Sequence, residues 1–150
     1  SLLLKLLTLL LPYCSKSSEQ PQLQSEHTQK IKGVLEYIGL HYTENISIES
    51  LASSCYFSEY HFMRFFKKYV GMSCLDYIKS LRLQKAADLL EQQELSITDA
   101  AMTAGFSSLS YFYREFKKRY GTTPRQFIHS LPERQHTNRA STPGSPFSPL

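Results

Sequence analysis

The side chains best suited to chemistry lie in two short runs that carry arginine, lysine and aromatic residues at matching positions. The runs read Phe62-Met-Arg64-Phe-Phe-Lys-Lys-Tyr-Val-Gly71 and Phe112-Tyr-Arg114-Glu-Phe-Lys-Lys-Arg-Tyr-Gly121, fifty residues apart. Arg64 and Arg114 occupy the same place in both copies. A guanidinium group pairs with guanine O6 and N7 in bidentate fashion, so the repeat predicts one base-reading arginine in each copy.

Helical periodicity sorts each run into an inward and an outward face, with phenylalanines inward. Base contacts are predicted from the outward face near the start of each helix, namely from Tyr60, Met63, Arg64, Leu109, Ser110, Tyr113 and Arg114. The apolar members of this set can touch thymine methyl groups. Phosphate contacts are predicted from hydroxyl groups at the helix starts and from cations further along, namely from Ser58, Lys67, Lys68, Ser108, Lys117, Lys118 and Arg119.

The repeat also extends upstream of the two runs. Ser47-Ile48 matches Ser96-Ile97, and Phe57 matches Phe106, at an offset of forty-nine residues. Each copy is therefore a short helix, a turn of about three residues and a second helix that ends in a basic cluster. This is the pattern of a helix-turn-helix unit, whose second helix enters the major groove of DNA.

Capping residues and apolar spacing predict about seven helices. Ser47, Ser58, Ser73, Ser96, Ser108 and Thr123 are the expected helix starts, and Pro124 fits a first-turn position. An apolar stripe at Leu83, Ala86, Ala87 and Leu90 marks the longer helix between the copies. No segment alternates with a period of two. The predicted fold is all-α, with two tandem helix-turn-helix units joined by a linker helix.

Composition divides the chain into three zones. We interpret residues 1–27 as the remnant of an upstream domain, ending in a Leu-rich helix over 2–11, followed by a polar linker over 12–27. The DNA-binding domain is predicted over 28–130, with the first unit at 28–72, the linker helix at 73–92 and the second unit at 93–130. Residues 131–150 carry four of the seven prolines and are predicted to be disordered.

Several function classes lack their required residues. The three cysteines, Cys14, Cys55 and Cys74, are scattered and predict free thiols in a reducing cytoplasm rather than a zinc site. No nucleophile elbow or phosphate-binding glycine loop occurs, so neither an enzyme, a cofactor nor a metal is expected. The Leu-rich start is too short to span a membrane. The net charge of +4 is compatible with a polyanionic partner without requiring one.

Over residues 28–130 the chain resembles the AraC/XylS family of transcription regulators. The most specific matches are Ile97-Thr-Asp-Ala-Ala-Met-Thr-Ala-Gly105-Phe106 and the following run from Tyr111 to Pro124. The linker-helix run from Tyr77 through Arg82 and Leu83 to Leu90 is also similar to that family. The resemblance implies seven helices, two reading heads and an upstream effector-sensing or dimerising domain. Two departures stand out. Tyr56 stands where the family often has glycine, which predicts a local difference in that turn because a bulky residue at positive φ is strained. The first head is also unusually apolar.

We therefore expect sequence-specific binding of double-stranded DNA, with both recognition helices in successive major grooves of one face. The expected setting is a bacterial transcription regulator, either an activator or a repressor, in the cytoplasm and associated with the nucleoid. RNA polymerase is an expected partner, and a small-molecule effector is expected to act only through the upstream domain. Arg82 is expected to form a structural ion pair with a nearby acid. The alternative is a helical protein-interaction module without DNA binding, whose affinity for its partner would be insensitive to salt.

Overall fold

A computed structural model describes residues 21–133, and within that range it contains seven helices and no strand. In chain order they are α1 (Pro21–His41), α2 (Ile48–Ser54), α3 (Glu59–Val70), α4 (Cys74–Glu91), α5 (Ile97–Thr103), α6 (Leu109–Tyr120) and α7 (Pro124–Ser130). The predicted all-α class is confirmed. None of the helices between residues 21 and 133 is long and apolar enough to cross a membrane.

The helices pack around two separate apolar cores. The first core contains the buried residues of α1, α2 and α3, and the second contains those of α5 and α6. Helix α4 belongs to both, because Cys74 and Ile78 lie in the first core while its later residues lie in the second. The predicted stripe accounts for that second contact: Leu83, Ala86, Ala87 and Leu90 are all buried there. The linker helix therefore fixes the two units to each other.

Side-chain caps define where six of the helices begin. At each predicted position the Ser or Thr oxygen accepts a hydrogen bond from the backbone N–H three residues later, from Ser47 to Thr123. These bonds satisfy N–H groups that have no partner inside the helix. Thr123 and Gln126 form a complete reciprocal capping box, and Pro124 occupies the first turn of α7 as predicted.

The turn between α2 and α3 closely matches the turn between α5 and α6. Tyr56 has φ of 60°, and its counterpart Gly105 has φ of 98°. Phe57 N–H donates to the Ala52 carbonyl at 2.9 Å, and Phe106 N–H donates to the Ala101 carbonyl at 3.0 Å. The expectation that this turn differs is therefore wrong. The Tyr56 side chain is 92% exposed, so no neighbouring residue obstructs it in this left-handed conformation.

Helix α1 begins at Pro21, so the prediction of a polar linker through residue 27 is wrong for residues 21–27. The extra turns bring His27 against the first unit. Its ring lies 5.4 Å from the Phe65 ring, and its Nδ1 lies 2.9 Å from the Tyr69 hydroxyl. This tertiary contact stabilises a segment whose composition is typical of a linker. The predictions for residues 1–20 and 134–150 lie outside the described residues.

Arg82 on α4 joins the linker helix to the loop between α1 and α2. Its Nε donates to the Tyr42 carbonyl at 2.5 Å, and its Nη2 donates to the Glu44 carbonyl at 2.7 Å. The predicted ion pair with an acid is therefore wrong, since the partners are backbone oxygens. In the same region, a Cβ on Gly105 would lie only 2.8 Å from Thr43 Cα. Glycine is thus required where the second unit approaches this loop.

Candidate nucleic-acid interface

Helix α3 presents the outward face that the sequence predicts. Phe62, Phe65 and Phe66 are buried in the first core. Tyr60 is 67% exposed, Met63 is 47% exposed, and Arg64, Lys67 and Lys68 are also exposed. The predicted contact residues of this helix therefore lie on a surface that a large ligand can reach.

Arg64 is held against an aromatic neighbour on its own helix. Its guanidinium carbon lies 5.7 Å from the centre of the Tyr60 ring, and its Nη1 lies 3.5 Å from the Tyr60 hydroxyl. Cation–π contact of this kind contributes about 0.5–1 kcal/mol at an exposed site. Tyr60 and Arg64 thus form one exposed amphipathic surface, with an aromatic face beside a planar donor group.

Two open grooves run along the sides of α3. The groove next to α1 has a volume of about 560 Å³ and is lined by His27, Tyr60, His61, Arg64, Phe65, Lys68 and Tyr69. The groove next to the start of α4 is smaller, about 240 Å³, and is lined by Ile48, Tyr60, Met63, Arg64, Lys67, Ser73, Cys74 and Leu75. One side of the helix is therefore rich in cationic and imidazole groups, while the other is mainly apolar.

Helix α6 presents a more polar outward face. Ser110, Arg114, Lys117 and Lys118 are exposed, as predicted. Leu109 and Tyr113 are only half-buried, and both pack against the second core. Both side chains are predicted to contact bases, but part of each is already packed against the second core.

The residues predicted to contact phosphates differ in their exposure and in the hydrogen bonds that they already make within the protein. Lys67 and Lys117 are exposed in the last turns of their helices. Arg119 instead turns toward the linker helix, where its Nη1 donates to the Ser80 hydroxyl at 2.5 Å. Ser58 and Ser108 accept bonds from the backbone N–H of His61 and Tyr111 as helix caps. Each of these serines still has a hydroxyl proton to donate.

Two residues that contact Arg114 were not predicted from helical periodicity. Tyr111 is exposed, and its ring centre lies 5.1 Å from the guanidinium carbon of Arg114. Glu115 is 8% exposed; its Oε2 lies 3.1 Å from Lys79 Nζ and its Oε1 lies 3.5 Å from Arg114 Nε. The repeat contained a signal for the second, because Glu115 aligns with the buried Phe65 of the first copy. A charge at a core-side position requires a partner.

The ionisation of this cluster follows from its geometry. The hydrogen bond from Lys79 lowers the pKa of Glu115. The hydrogen bond to Asp76, followed by that to Glu115, raises the pKa of Lys79. The hydrogen bond from Ser73, followed by that from Lys79, lowers the pKa of Asp76. Both carboxylates and the ammonium group are therefore charged at neutral pH. Lys79 also lies 3.1 Å from the Asp76 carboxylate, so it links α6 to the first turn of α4.

Metal and thiol chemistry find no support in the described part of the chain. No cluster of histidine, cysteine or acidic residues there is arranged to hold a metal ion. Cys55 and Cys74 are free and buried, and Cys14 lies outside the described residues. Burial raises the pKa of the Cys74 thiol to about 11, which keeps it protonated and unreactive at neutral pH.

The fold and the interface together define a class of protein. Two helix-turn-helix units, each with an exposed arginine and lysine face on its second helix, form a DNA-binding domain of a transcription regulator. A family model described as a helix-turn-helix domain matches residues 51–130. The chain belongs to the AraC-type family of helix-turn-helix transcription regulators.

Among curated proteins, the regulatory protein PocR of Salmonella typhimurium is 32% identical over 125 residues, covering 83% of this chain and 41% of PocR. The bifunctional transcriptional activator and DNA repair enzyme AdaA of Bacillus subtilis is 39% identical over 94 residues, covering 63% of this chain and 44% of AdaA. The chain thus spans about two fifths of the length of these relatives.

Two solved structures share the fold. The C-terminal domain of AraT, a response regulator from Geobacillus stearothermophilus, has a TM-score of 0.67 at 28% identity, covering 74% of this chain and 93% of that domain. The DNA-binding domain of the global transcriptional factor AdpA, solved in complex with a target DNA, has a TM-score of 0.63 at 26% identity, covering 67% of this chain and 90% of that domain.

Proposed function

We propose that this chain binds double-stranded DNA sequence-specifically and thereby regulates transcription, with α3 and α6 in successive major grooves of one face. The observation that carries the proposal is the recurrence, on the second helix of both units, of an exposed arginine followed by exposed lysines. The AdpA domain, which has the same fold, was solved with DNA. This supports the same mode of binding here.

The length of α4 suits this arrangement. Its 18 residues make a rod of about 27 Å at a rise of 1.5 Å per residue. With the flanking turns added, this approaches the roughly 34–36 Å between neighbouring entries to the major groove. We infer a site of about twenty base pairs with two unlike half-sites, because the exposed residues of α3 and α6 differ.

Each predicted contact residue has a proposed role in this complex. Arg64 and Arg114 read guanine edges, Tyr60 and Met63 touch thymine methyl groups, and Ser110 donates to a base or a sugar. Leu109 and Tyr113 are assigned a smaller share because they pack on the second core. The remaining set contacts phosphates: Ser58, Lys67, Lys68, Ser108, Lys117, Lys118 and Arg119. For Arg119 this requires exchanging the Ser80 hydroxyl for a phosphate oxygen.

Regulation also needs partners beyond DNA. We infer that the chain acts in the cytoplasm on the nucleoid, and that it contacts RNA polymerase as an activator. A small-molecule effector would be sensed by another part of a longer protein, which fits the greater length of the curated relatives. The repair chemistry named for AdaA is not assigned to this chain, because the match covers 44% of that protein.

Selection of binding sites from random duplexes, followed by footprinting on the best site, tests the proposal. The expected result is protection of two neighbouring major grooves on one face, with affinity that falls steeply as salt rises. A footprint over a single groove would refute the two-head arrangement. Failure to select any duplex, together with a salt-insensitive protein partner, would favour the interaction module instead.

A further inference from the structure

The carboxylate of Glu115 stands between the linker helix and the reading arginine of α6. One oxygen, Oε2, faces Lys79 Nζ on α4 at 3.1 Å. The other, Oε1, faces the Nε of Arg114 at 3.5 Å. Both oxygens are thus occupied by different cations, one beside the protein interior and one on the exposed face.

This geometry determines which donors of Arg114 remain available. The arginine side chain is 70% exposed, so its pair with Glu115 contributes little to folding. The pair and the nearby ring instead limit the rotation of the guanidinium group, because Nε lies 3.5 Å from the Glu115 carboxylate and the guanidinium carbon lies 5.1 Å from the centre of the Tyr111 ring. Because the side chain is mostly exposed, its two Nη groups remain available as donors to DNA. A pair of parallel donors is the arrangement that matches guanine O6 and N7.

The first unit positions its recognition helix differently. Phe65 occupies the place of Glu115, and His27 contacts it from α1. His27 lies four residues before Ile31, the first buried residue of α1, just as Lys79 lies four residues before Leu83 in the second core. The two recognition helices are therefore supported at the same point, by an aromatic contact in the first unit and by an ion pair in the second.

We propose that Glu115 is a positioning residue that sets the base preference of Arg114, and that Lys79 fixes the Glu115 carboxylate for this role. The inference rests on the proposed DNA-binding function. In the first unit no acid occupies this position, and the contacts of the Arg64 side chain within residues 21–133 are with the ring and hydroxyl of Tyr60. Base preference should therefore depend on Glu115 only in the half-site that α6 contacts.

The test compares the 150-residue chain with Glu115→Gln on duplexes obtained by site selection. Gln keeps the volume of the side chain but removes the charge that both cations face. Each base pair of the best site is changed in turn, and affinity is measured by fluorescence anisotropy. We expect discrimination at one or two base pairs of the α6 half-site to fall by about fivefold or more. This is part of the discrimination that one bidentate contact to a base provides. Discrimination in the α3 half-site should stay the same.

Matched variants separate positioning from folding and from charge. Asp88→Asn removes one negative charge at an exposed position of α4 and should leave discrimination unchanged. Lys79→Met should lower base-pair discrimination in the α6 half-site. Lys79→Arg keeps the ion pair and should therefore retain this discrimination. Circular dichroism melting of each variant reports directly whether it is folded. A folded variant that loses base-pair discrimination at one half-site shows that the changed residue positions Arg114 rather than supporting the fold.

Two results would overturn the proposal alone: unchanged discrimination in the folded Glu115→Gln chain, or equal losses in both half-sites. If the unmodified chain selects no duplex sequence, the proposed function itself fails, and the role of Glu115 fails with it.

Discussion

At the scale of single residues, the two arginines that we propose as base contacts occupy equivalent places in the repeat but have different surroundings. Arg64 rests on Tyr60 one turn earlier in α3. Arg114 lies between the Tyr111 ring and the Glu115 carboxylate. Lys68, in the last turn of α3, also lies near a ring, 5.7 Å from the centre of Tyr69, but an ammonium group is a point charge without a planar fork of donors. The arginines are thus oriented donors, whereas the lysines act as charges, and the two kinds of residue should fail differently when removed.

Arg114→Ala should weaken binding to the best site by about 1–3 kcal/mol and flatten the preference at one or two base pairs, because a bidentate base contact is lost. Lys118→Ala should weaken binding to every duplex alike and reduce the slope of log affinity against log salt by about one, because one phosphate contact is lost. Titrations at several salt concentrations, on matched and mismatched duplexes, measure both quantities. Equal losses on all duplexes for both variants would show that Arg114 contacts only a phosphate.

At the scale of secondary-structure elements, the turns within the two units share one backbone conformation but lie in different surroundings. Tyr56 and Gly105 both have positive φ, and both turns close with the same hydrogen bond to a carbonyl five residues back. Tyr56 faces solvent, so only its backbone is strained. Gly105 lies against the loop that holds Thr43, where a side chain has no room.

The two turns should therefore differ greatly in how much a substitution changes their stability. Gly105→Ala should lower the free energy of unfolding by about 2–4 kcal/mol, because left-handed strain adds to overlap with the Thr43 backbone. Tyr56→Gly should change it by less than about 1 kcal/mol, since relief of strain is offset by the greater entropy of glycine in the unfolded chain.

Urea unfolding of both turn variants, followed by circular dichroism, gives the comparison. If Gly105→Ala proved as stable as the unmodified chain, the close approach of the second unit to the α1–α2 loop would be wrong. A large loss for Tyr56→Gly would mean that the exposed ring makes a stabilising contact.

At the scale of the whole molecule, the spacing of the two heads depends on how α4 is anchored. The helix enters both cores, and Arg82 ties it to the Tyr42 and Glu44 carbonyls of the first unit. Desolvation lowers the pKa of Arg82, but a guanidinium group stays charged in proteins. Its planar fork satisfies two carbonyls at once, which a lysine ammonium group on a flexible stem does less well.

Arg82→Lys should therefore lower the free energy of unfolding by about 1–3 kcal/mol, which is the range for losing a hydrogen bond from a charged donor. It should also weaken binding to the complete site more than binding to either half-site, because the two heads lose their fixed spacing. Arg125→Lys, at an exposed position of α7, is the control and should change neither quantity. Parallel unfolding curves and titrations on complete and half sites provide the test. Equal behaviour of the two variants would show that the spacing does not depend on Arg82.

The features that could be predicted from sequence are those that depend on near neighbours along the chain. Helix starts at Ser58 and Ser108, helix ends at Gly71 and Gly121, and the outward position of Arg64 and Arg114 all follow from capping chemistry and a period of 3.6 residues. The internal repeat extended this local information to the whole architecture, because two matching copies predict two matching units. The class of fold and most of the outward face could therefore be predicted.

The partner that each side chain contacts across the fold could not be predicted, because it depends on how the helices pack. The extension of α1 to Pro21 depends on the aromatic contacts of His27, and the half-burial of Leu109 and Tyr113 depends on how α6 lies on the second core. Arg82 donates to backbone carbonyls rather than pairing with an acid, and Glu115 forms an ion pair with Lys79. Such contacts join residues about thirty-five to forty positions apart. Helical periodicity relates only residues a few positions apart, so it shows which face a side chain occupies but not what packs against that face.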